Sequence, residues 1–357
     1  MDAHRPRPEH PMTRRPLAAL LLAAIAALAL SACASKEDST APPQLRKVSI
    51  ILDYLPNADH VGLYTAMARG DFRKAGLDVE IQTPSDPASP LKLLAAGKAD
   101  LAISYQPEVL LARDKGAELL SIAALAQRPL TSLMSTGDRP VDPRKLAGAR
   151  IGTAGIPYQD AYLDTILDKA GVDPASVTKI NVGFNLIPAM LSKKVDATLG
   201  AFWNIEGVQL KLQKRRPRIM PVDEAGVPTY DELVLVTREA TAREDGAMLR
   251  RFIQALYRGT LAARDTPSVG VDALLAAVPD LKRTFTTASV AATLPVLVPD
   301  DPKVPFGWMS YGRWQTFADW MRRNDLLARP TGVQQALSNE FLPGEGVGDA
   351  GSTPLAT

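Results

Sequence analysis

Short apolar runs alternate with longer amphipathic stretches from residue 47 onward. Val48, Ile50 and Leu52 recur at every second position, which is the two-residue period of a strand with one face in the core. Residues 60–69 have the length of a helix that closes near Gly70, and residues 77–82 are predicted as a second strand. The order strand, helix, strand predicts a parallel pair in an α/β fold.

The same alternation continues along most of the chain. Further strands are predicted at residues 101–104, 119–126, 149–152, 179–182, 197–202 and 233–237. Further helices are predicted at residues 90–96, 107–115, 159–170, 186–193, 249–264, 271–277 and 313–322. Gly137, Pro140 and Pro143 break the pattern between residues 134 and 146. We therefore expect the chain to cross there into a second domain, and strand 233–237 to return it to the first.

Two parts of the chain repeat one short pattern. Lys98-Ala99-Asp100 precedes the predicted strand 101–104, and Lys194-Val195-Asp196 precedes the predicted strand 197–202. Each strand follows a helix rich in Leu or Met and precedes a loop of aromatic and polar residues. The repeat predicts two similar lobes whose loops face each other across a cleft.

The loops at the predicted strand ends carry side chains suited to a flat ligand with hydrogen-bonding edges. The candidate binding residues are Asp53, Tyr54, Asn57, His60, Tyr64, Tyr105, Gln106, Glu108, Tyr158, Phe202, Trp203, Asn204 and Glu206. Aromatic pairs contribute about 0.5–1.5 kcal/mol beyond burial, and bonds to a carboxylate about 1.5–3 kcal/mol. The alternative for each ring is core packing, for each carboxylate a solvated loop, and for Asn57 a helix cap.

Other classes of function fit the sequence less well. The candidate loops contain no Arg or Lys, which phosphate or sulfonate sites normally use, although the backbone around Gly155 remains an alternative anion site. Serine-hydrolase, P-loop and paired His or Cys metal motifs are absent from the sequence. His60 is the only histidine after residue 32, and it has no evident nucleophile beside it. We therefore expect a binding protein without catalytic residues, metal or cofactor.

The first residues have the pattern of a lipoprotein signal peptide. Residues 17–30 are continuously apolar after Arg14-Arg15, but this run is shorter than the ~20 residues of a spanning helix. Leu30-Ser31-Ala32-Cys33 then resembles a lipobox, and Cys33 is the only cysteine in the chain. Residues 13–17 loosely resemble a twin-arginine signal, so the export route stays open, and Met12 is an alternative start.

Composition fits a globular body on a tether. The 357 residues contain 41 basic and 39 acidic side chains, and removing residues 1–32, with four arginines and two acids, leaves 37 of each. This neutrality argues against nucleic acid as a partner. The predicted organisation is signal peptide 1–32, tether 33–45, first lobe 46–134 and 230–342, second lobe 135–229 and disordered tail 343–357.

Several motifs together resemble the thiamine-pyrimidine-synthase-like family, which includes the formylaminopyrimidine-binding proteins of ABC importers. The matching segments are residues 52–64 (LDYLPNADHVGLY), 70–79 (GDFRKAGLDV), 104–108 (SYQPE) and 200–207 (GAFWNIEG). The resemblance covers about residues 47–236. It implies a two-lobed periplasmic-binding-protein-like fold of type II, each lobe a mainly parallel sheet flanked by helices. Asn57, Tyr105, Trp203 and Glu206 are the positions that match its ligand contacts best.

The resemblance also implies location and partners. We expect a monomeric, extracytoplasmic protein, anchored to the membrane through lipid on Cys33, that delivers an aminopyrimidine to a permease and an ATPase. A riboflavin-type, other small aromatic or sulfonate binder of the same fold is the alternative. The fungal members make the pyrimidine enzymatically, but Ser104 stands at their cofactor lysine and Glu108 at their sacrificed histidine. These differences, and the lack of their cysteine cluster, favour a binding protein over a synthase.

Overall fold

The computed structural model describes residue 1 and residues 45–137, 141–299, 301, 303–329 and 332–343. From Leu45 onward the chain packs as one unit. The predicted signal peptide and tether, apart from Met1 and Leu45, lie outside the described residues, and so does the predicted tail after residue 343. Cys33 is therefore also outside them.

Ten strands form two five-stranded sheets. They are β1 (Arg46–Ile51), β2 (Leu77–Gln82), β3 (Leu101–Ser104), β4 (Leu119–Ala126), β5 (Thr131–Thr136), β6 (Arg150–Thr153), β7 (Thr178–Asn181), β8 (Ala197–Phe202), β9 (Pro217–Pro221) and β10 (Leu233–Arg238). The first sheet has the order β2-β1-β3-β10-β4, and the second has the order β7-β6-β8-β5-β9. In each sheet four strands share one direction, and β10 or β5 runs antiparallel to its neighbours. The predicted α/β fold with mainly parallel sheets is confirmed.

Thirteen α-helices in the described residues flank the sheets. They are α1 (Val61–Ala68), α2 (Asp71–Lys74), α3 (Pro90–Ala95), α4 (Gln106–Asp114), α5 (Gln159–Lys169), α6 (Leu186–Leu191), α7 (Glu206–Leu212), α8 (Val222–Ala225), α9 (Glu239–Glu244), α10 (Gly246–Asp265), α11 (Pro267–Ala277), α12 (Arg283–Leu297) and α13 (Tyr311–Arg323). We call the first sheet with α1–α4 and α9–α13 the first lobe, and the second sheet with α5–α8 the second lobe.

The outgoing crossing between the sheets lies earlier than the sequence indicated. β5 pairs with β8 and β9 along its length, so residues 131–134, which were assigned to the first lobe, belong to the second sheet. The breakers Gly137 and Pro143 follow this strand and do not mark the crossing. β5 went unpredicted because Thr and Ser occupy four of its six positions, which hides its apolar pair Leu133 and Met134. The predicted returning strand is present as β10.

The repeated pattern marks equivalent positions in the two lobes. The backbone N–H of Ser49 donates to Asp100 Oδ2 at 2.8 Å, and Asp100 N–H donates to the Ser49 carbonyl at 3.0 Å. In the second lobe Arg150 N–H donates to Asp196 Oδ2 at 2.9 Å, and Asp196 N–H donates to the Arg150 carbonyl at 2.8 Å. In both lobes an aspartate thus joins a strand to its parallel neighbour, β3 to β1 in the first lobe and β8 to β6 in the second.

A buried carboxylate ties the two crossings together. Glu232, on the returning crossing, accepts hydrogen bonds from the backbone N–H groups of Leu130 and Thr131, on the outgoing one, at 2.7 and 2.8 Å. The hydroxyls of Thr131 and Tyr230 donate to the same carboxylate at 2.9 Å each. Four donors on one side chain fix the two crossings side by side at the hinge between the lobes.

Close helix packing completes the first lobe. α10 crosses α1 where glycines face each other, and a Cβ on Gly259 would lie 2.6 Å from the Cβ of Ala66. A Cβ on Gly62 would likewise press on the Thr260 hydroxyl. In the described part of the chain no helix combines the length and the apolar character that crossing a membrane requires.

Candidate functional site

The loops that follow β1, β3, β6 and β8 meet between the lobes around a small cavity of about 20 Å³. The carboxyl ends of these parallel strands all point to this edge of their sheets, which is where open α/β folds bind ligands. The cavity is lined by Tyr54, Asn57 and Tyr105 of the first lobe and by Ile156, Phe202, Ile205 and Glu206 of the second. Both lobes thus contribute walls, as the predicted cleft required.

A chain of hydrogen bonds holds the first-lobe wall. The backbone N–H of Asn57 donates to His60 Nδ1 at 3.1 Å, so His60 carries its proton on Nε2 and donates it to Asp53 Oδ1 at 2.9 Å. The Tyr105 hydroxyl donates to Asp53 Oδ2 at 2.8 Å. Asp53 and His60 are almost fully buried and lie behind the wall, so their role is to position Asn57 and Tyr105.

Asn57 both caps a helix and lines the cavity. Its Oδ1 accepts a hydrogen bond from the N–H of Asp59 at 2.7 Å and caps the 3₁₀ turn Ala58–His60. Its Nδ2 donates to the Leu55 carbonyl at 3.0 Å. The capping alternative weighed for Asn57 is therefore realised, and one amide hydrogen remains for a ligand.

Glu206 is the carboxyl group of the cavity. It is the first residue of α7, and its Oε2 accepts a hydrogen bond from the N–H of Phe202 at 2.8 Å. Loss of surrounding water raises the pKa of Glu206 to about 7, and the bond from Phe202 partly offsets this effect. A hydrogen-bond donor on a ligand would replace the missing water and favour the charged form.

Aromatic rings from both lobes close the cavity. Tyr54 meets Phe184 of the second lobe edge to face, with ring centroids 4.6 Å apart. Tyr105 makes edge contacts to Tyr158 at 5.9 Å and to Phe202 at 6.4 Å. The buried Tyr54 hydroxyl has no partner among the described protein atoms. Burial, followed by the charges of Glu206 and Asp53, raises the pKa of this hydroxyl, so it stays protonated and free to donate.

Trp203 lies beside the hinge and does not line the cavity. Its Nε1 donates to the Pro129 carbonyl at 3.1 Å, and the guanidinium of Arg128 lies 5.5 Å from the ring centroid. An indole N–H that loses water needs an acceptor, and the outgoing crossing supplies one. The expectation that Trp203 stacks on a ligand differs from this placement. Asn57, Tyr105 and Glu206 do line the cavity, and their contact with a ligand stays a prediction.

Four other candidates also lie away from the wall. Tyr64 is buried on α1, and Tyr158 is buried before α5 against Tyr162. Gln106 accepts a hydrogen bond from the backbone N–H of Asp231 at 2.8 Å, next to the hinge. Glu108, in the first turn of α4, accepts one from the Ser104 hydroxyl at 2.6 Å. Gln106, Glu108 and Tyr158 lie close to strand ends and Tyr64 does not, but the side chains of all four turn into the protein.

Sequence reasoning missed three contributors to the cavity region. Ile156 and Ile205 line the cavity, and Phe184 covers Tyr54. Ile156 follows β6 as Tyr54 follows β1, so the repeat between the lobes could have indicated it. Phe184 lies between Gly183 and Asn185 in the loop after β7, and the approach of the lobes brings it to Tyr54.

The lining side chains make the cavity neutral to negative. None of the seven described lining residues is Lys or Arg, and Glu206 is joined nearby by the carboxyls of Asp53 and Asp59. Burial, followed by the charge of Asp53, raises the pKa of Asp59. The arrangement suits a flat neutral ligand that donates hydrogen bonds, and it disfavours anions.

Two lobes of equivalent topology, joined by a double crossing and enclosing a cavity, define a periplasmic-binding-protein-like fold. The alkanesulfonate-binding protein SsuA from Xanthomonas axonopodis pv. citri, bound to MOPS, shares it with a TM-score of 0.62 at 19% identity, covering 83% of this chain and 98% of that one. The family model described as NMT1/THI5 like matches residues 57–269. The chain belongs to this family.

Two relatives are similar over most of their length. A formylaminopyrimidine-binding protein from Halalkalibacterium halodurans is 33% identical over 317 residues, which are 87% of this chain and 96% of the relative. A putative thiamine biosynthesis protein from Haemophilus influenzae is 32% identical over 291 residues, covering 81% of this chain and 90% of the relative.

Proposed function

We propose that the chain is the extracytoplasmic solute-binding protein of an ABC importer and that it binds an aminopyrimidine precursor of thiamine between its lobes. The observation that carries the proposal is the cavity itself, in which rings from both lobes surround one carboxyl without any Lys or Arg among the described lining residues. The similarity to the formylaminopyrimidine-binding relative supports this ligand class.

The chemistry of the walls matches an aminopyrimidine. The rings of Tyr105 and Phe202 offer faces and edges to a flat heterocycle, Glu206 accepts from an exocyclic amine, and the Tyr54 hydroxyl donates to a ring nitrogen or carbonyl. The cavity of about 20 Å³ has room for about one water molecule, so the two lobes must move apart to admit a ring.

The remaining alternatives lack support in the cavity. A sulfonate would face Glu206 with no cation among the lining residues. A synthase of the fungal type would need a lysine where this chain has Ser104, and the Ser104 hydroxyl is engaged with Glu108. We therefore propose a binding protein and not an enzyme.

Calorimetry on the purified protein tests the proposal. The panel is formylaminopyrimidine, hydroxymethylpyrimidine, thiamine, riboflavin and an alkanesulfonate, and we expect a pyrimidine to bind most tightly. Glu206→Gln keeps the shape but weakens a charge-assisted bond, so it should reduce affinity about tenfold, ~1.4 kcal/mol. The exposed Glu340→Gln is the matched control and should bind as the wild type does.

Two results would contradict the proposal. Tighter binding of the sulfonate or of riboflavin would move the ligand to another class. Pyrimidine binding that is indifferent to Glu206→Gln would show that the ligand does not occupy this cavity.

We further propose that the body is held at a membrane surface through lipid on Cys33 and that permease and ATPase subunits are its partners. The lipobox-like residues 30–33 after a short apolar run support the anchor. A tether with little apolar surface lets the body reach a permease while staying close to the membrane.

A further inference from the structure

Asn204 of the second lobe reaches into the first lobe and bonds two residues there. Its Nδ2 donates to Asp59 Oδ1 at 2.6 Å and to Thr293 Oγ1 at 2.7 Å. Asp59 belongs to the turn before α1, and Thr293 lies on α12, which packs against that turn and against α11. All three side chains are buried, and Asn204 and Thr293 are 0% exposed.

These three residues lie outside the ligand cavity. The cavity is lined by the neighbouring residues Asn57, Phe202, Ile205 and Glu206, but by none of the three that form this contact. The two hydrogen bonds join the lobes directly, so they depend on how closely the lobes approach and on no ligand atom.

We propose that Asn204, Asp59 and Thr293 form an interlobe latch, which adjusts ligand affinity by stabilising the closed arrangement without touching the ligand. The proposal rests on the proposed binding function, because a ligand held between the lobes gains from whatever favours closure. It gives Asn204 a positioning role in place of the ligand contact expected from sequence.

The latch has an opposing cost that keeps closure reversible. Asp59 Oδ2 and Asn204 Oδ1 are buried and have no hydrogen-bond partner among the described protein atoms. When the lobes separate, both oxygens gain access to water, so opening recovers hydration that closure removes. Closure gains two hydrogen bonds but removes two oxygens from water, so the net free-energy preference for the closed arrangement is small. Ligand binding then decides the equilibrium between the open and closed arrangements.

A latch and a ligand contact have different signatures. A residue that touches the ligand changes the affinity of some ligands more than others, because the lost interaction depends on ligand chemistry. A residue that acts on closure lowers the affinity of every ligand by the same factor. Its loss should act mainly on dissociation, because the closed complex opens sooner.

The experiment compares the full-length wild type with Asn204→Ala and Thr293→Val, using stopped-flow and calorimetric binding of formylaminopyrimidine and hydroxymethylpyrimidine. We expect Asn204→Ala to weaken both ligands by the same factor, about tenfold, with a matching increase in dissociation rate. Thr293→Val should give a smaller uniform loss, and combining it with Asn204→Ala should add nothing, because the bond is already gone.

Asn339→Ala is the matched control. Asn339 also makes two hydrogen bonds, to the backbone N–H and carbonyl of Met309, but both lie within the first lobe. It should lower the unfolding temperature without changing dissociation. Unequal losses for the two ligands, or losses no larger than those of Asn339→Ala, would overturn the latch.

A failure of the proposed function would be seen separately. If the wild type binds neither pyrimidine, the ligand assignment fails, and small-angle X-ray scattering of the ligand-free proteins then decides on the latch. The latch requires a larger radius of gyration for Asn204→Ala than for the wild type and Asn339→Ala, and equal radii would refute it.

Discussion

Asp53 shows how a side chain that never faces the cavity can still shape it. Its two oxygens take hydrogen bonds from His60 and from Tyr105, so one carboxylate fixes a helix start and a wall residue together. The wall atoms then need little reordering when a ligand arrives, which reduces the entropic cost of binding.

Glu108 allows a test of buried charge away from the cavity. Burial raises its pKa from about 4.5 to about 7. The folded protein therefore binds this proton more strongly than the unfolded chain, and the free energy of unfolding falls as pH rises through that interval. Glu108→Gln removes this contribution to the pH dependence. The decrease in the free energy of unfolding between pH 5 and pH 8 should therefore be about 1–3 kcal/mol smaller in the variant than in the wild type.

Urea unfolding at the two pH values measures this difference. The exposed Glu340→Gln should keep the wild-type dependence, because its side chain is solvated in both states. A Glu108→Gln protein with the same pH dependence as the wild type would show that Glu108 does not hold the extra proton.

Residue positions at the strand ends were predictable, but their partners were not. Sequence placed Asn57, Tyr105 and Glu206 at a cleft because they follow strands. It could not show that Trp203 has an acceptor in Pro129 or that Asn204 pairs with Thr293, since both partners are distant in sequence. Whether a side chain faces a cavity or a neighbour depends on such long-range contacts.

At the scale of elements, the periodicity of apolar residues predicted most strands of the two sheets but missed β5 and β9. Residues 77–82, 101–104, 119–126 and 197–202 are strands with the predicted bounds. β9 went unpredicted because proline stands at both of its ends, and β5 because of its Ser and Thr content. Both strands are held in the second sheet by pairing with neighbouring strands. The local pattern of residues contains no information on such pairing.

The contact between α1 and α10 provides a test at this scale. Gly259→Ala would put a methyl group 2.6 Å from the Cβ of Ala66, so one helix must move. We expect the free energy of unfolding in urea to fall by about 1–3 kcal/mol.

A second glycine serves as the control. On α13 a Cβ at Gly312 would have Ser310 Oγ at 3.9 Å as its nearest neighbour. Gly312→Ala should therefore leave stability unchanged or raise it by about 0.5–1 kcal/mol. Equal effects of the two substitutions would mean that the helices are not in close contact.

At the scale of the whole molecule, two lobes and a double crossing make a hinged body. Glu232 fixes the crossings beside each other, and Asn204 and the pair Tyr54 and Phe184 join the lobes on the cavity side. Closing contacts on one side and a fixed pivot on the other are what a binding protein needs to signal occupancy.

The proposed anchor can be tested on the intact chain. Metabolic labelling with a palmitate analogue in a bacterial host should mark the wild type and leave Cys33→Ser unlabelled, because Cys33 is the only cysteine. Cell fractionation should then place the wild type with membranes and the variant outside them. Equal labelling of both proteins would end the lipoprotein proposal.

The position of β10 has a consequence for how the chain acquires its structure. β10 lies between β3 and β4, yet it is made only after the entire second lobe. Until it arrives, β3 and β4 have no shared neighbour, and the middle of the first sheet stays open. If the chain leaves an export channel unfolded and from its amino end, the first sheet stays incomplete until Arg238, about two thirds of the way along the 357 residues, has passed.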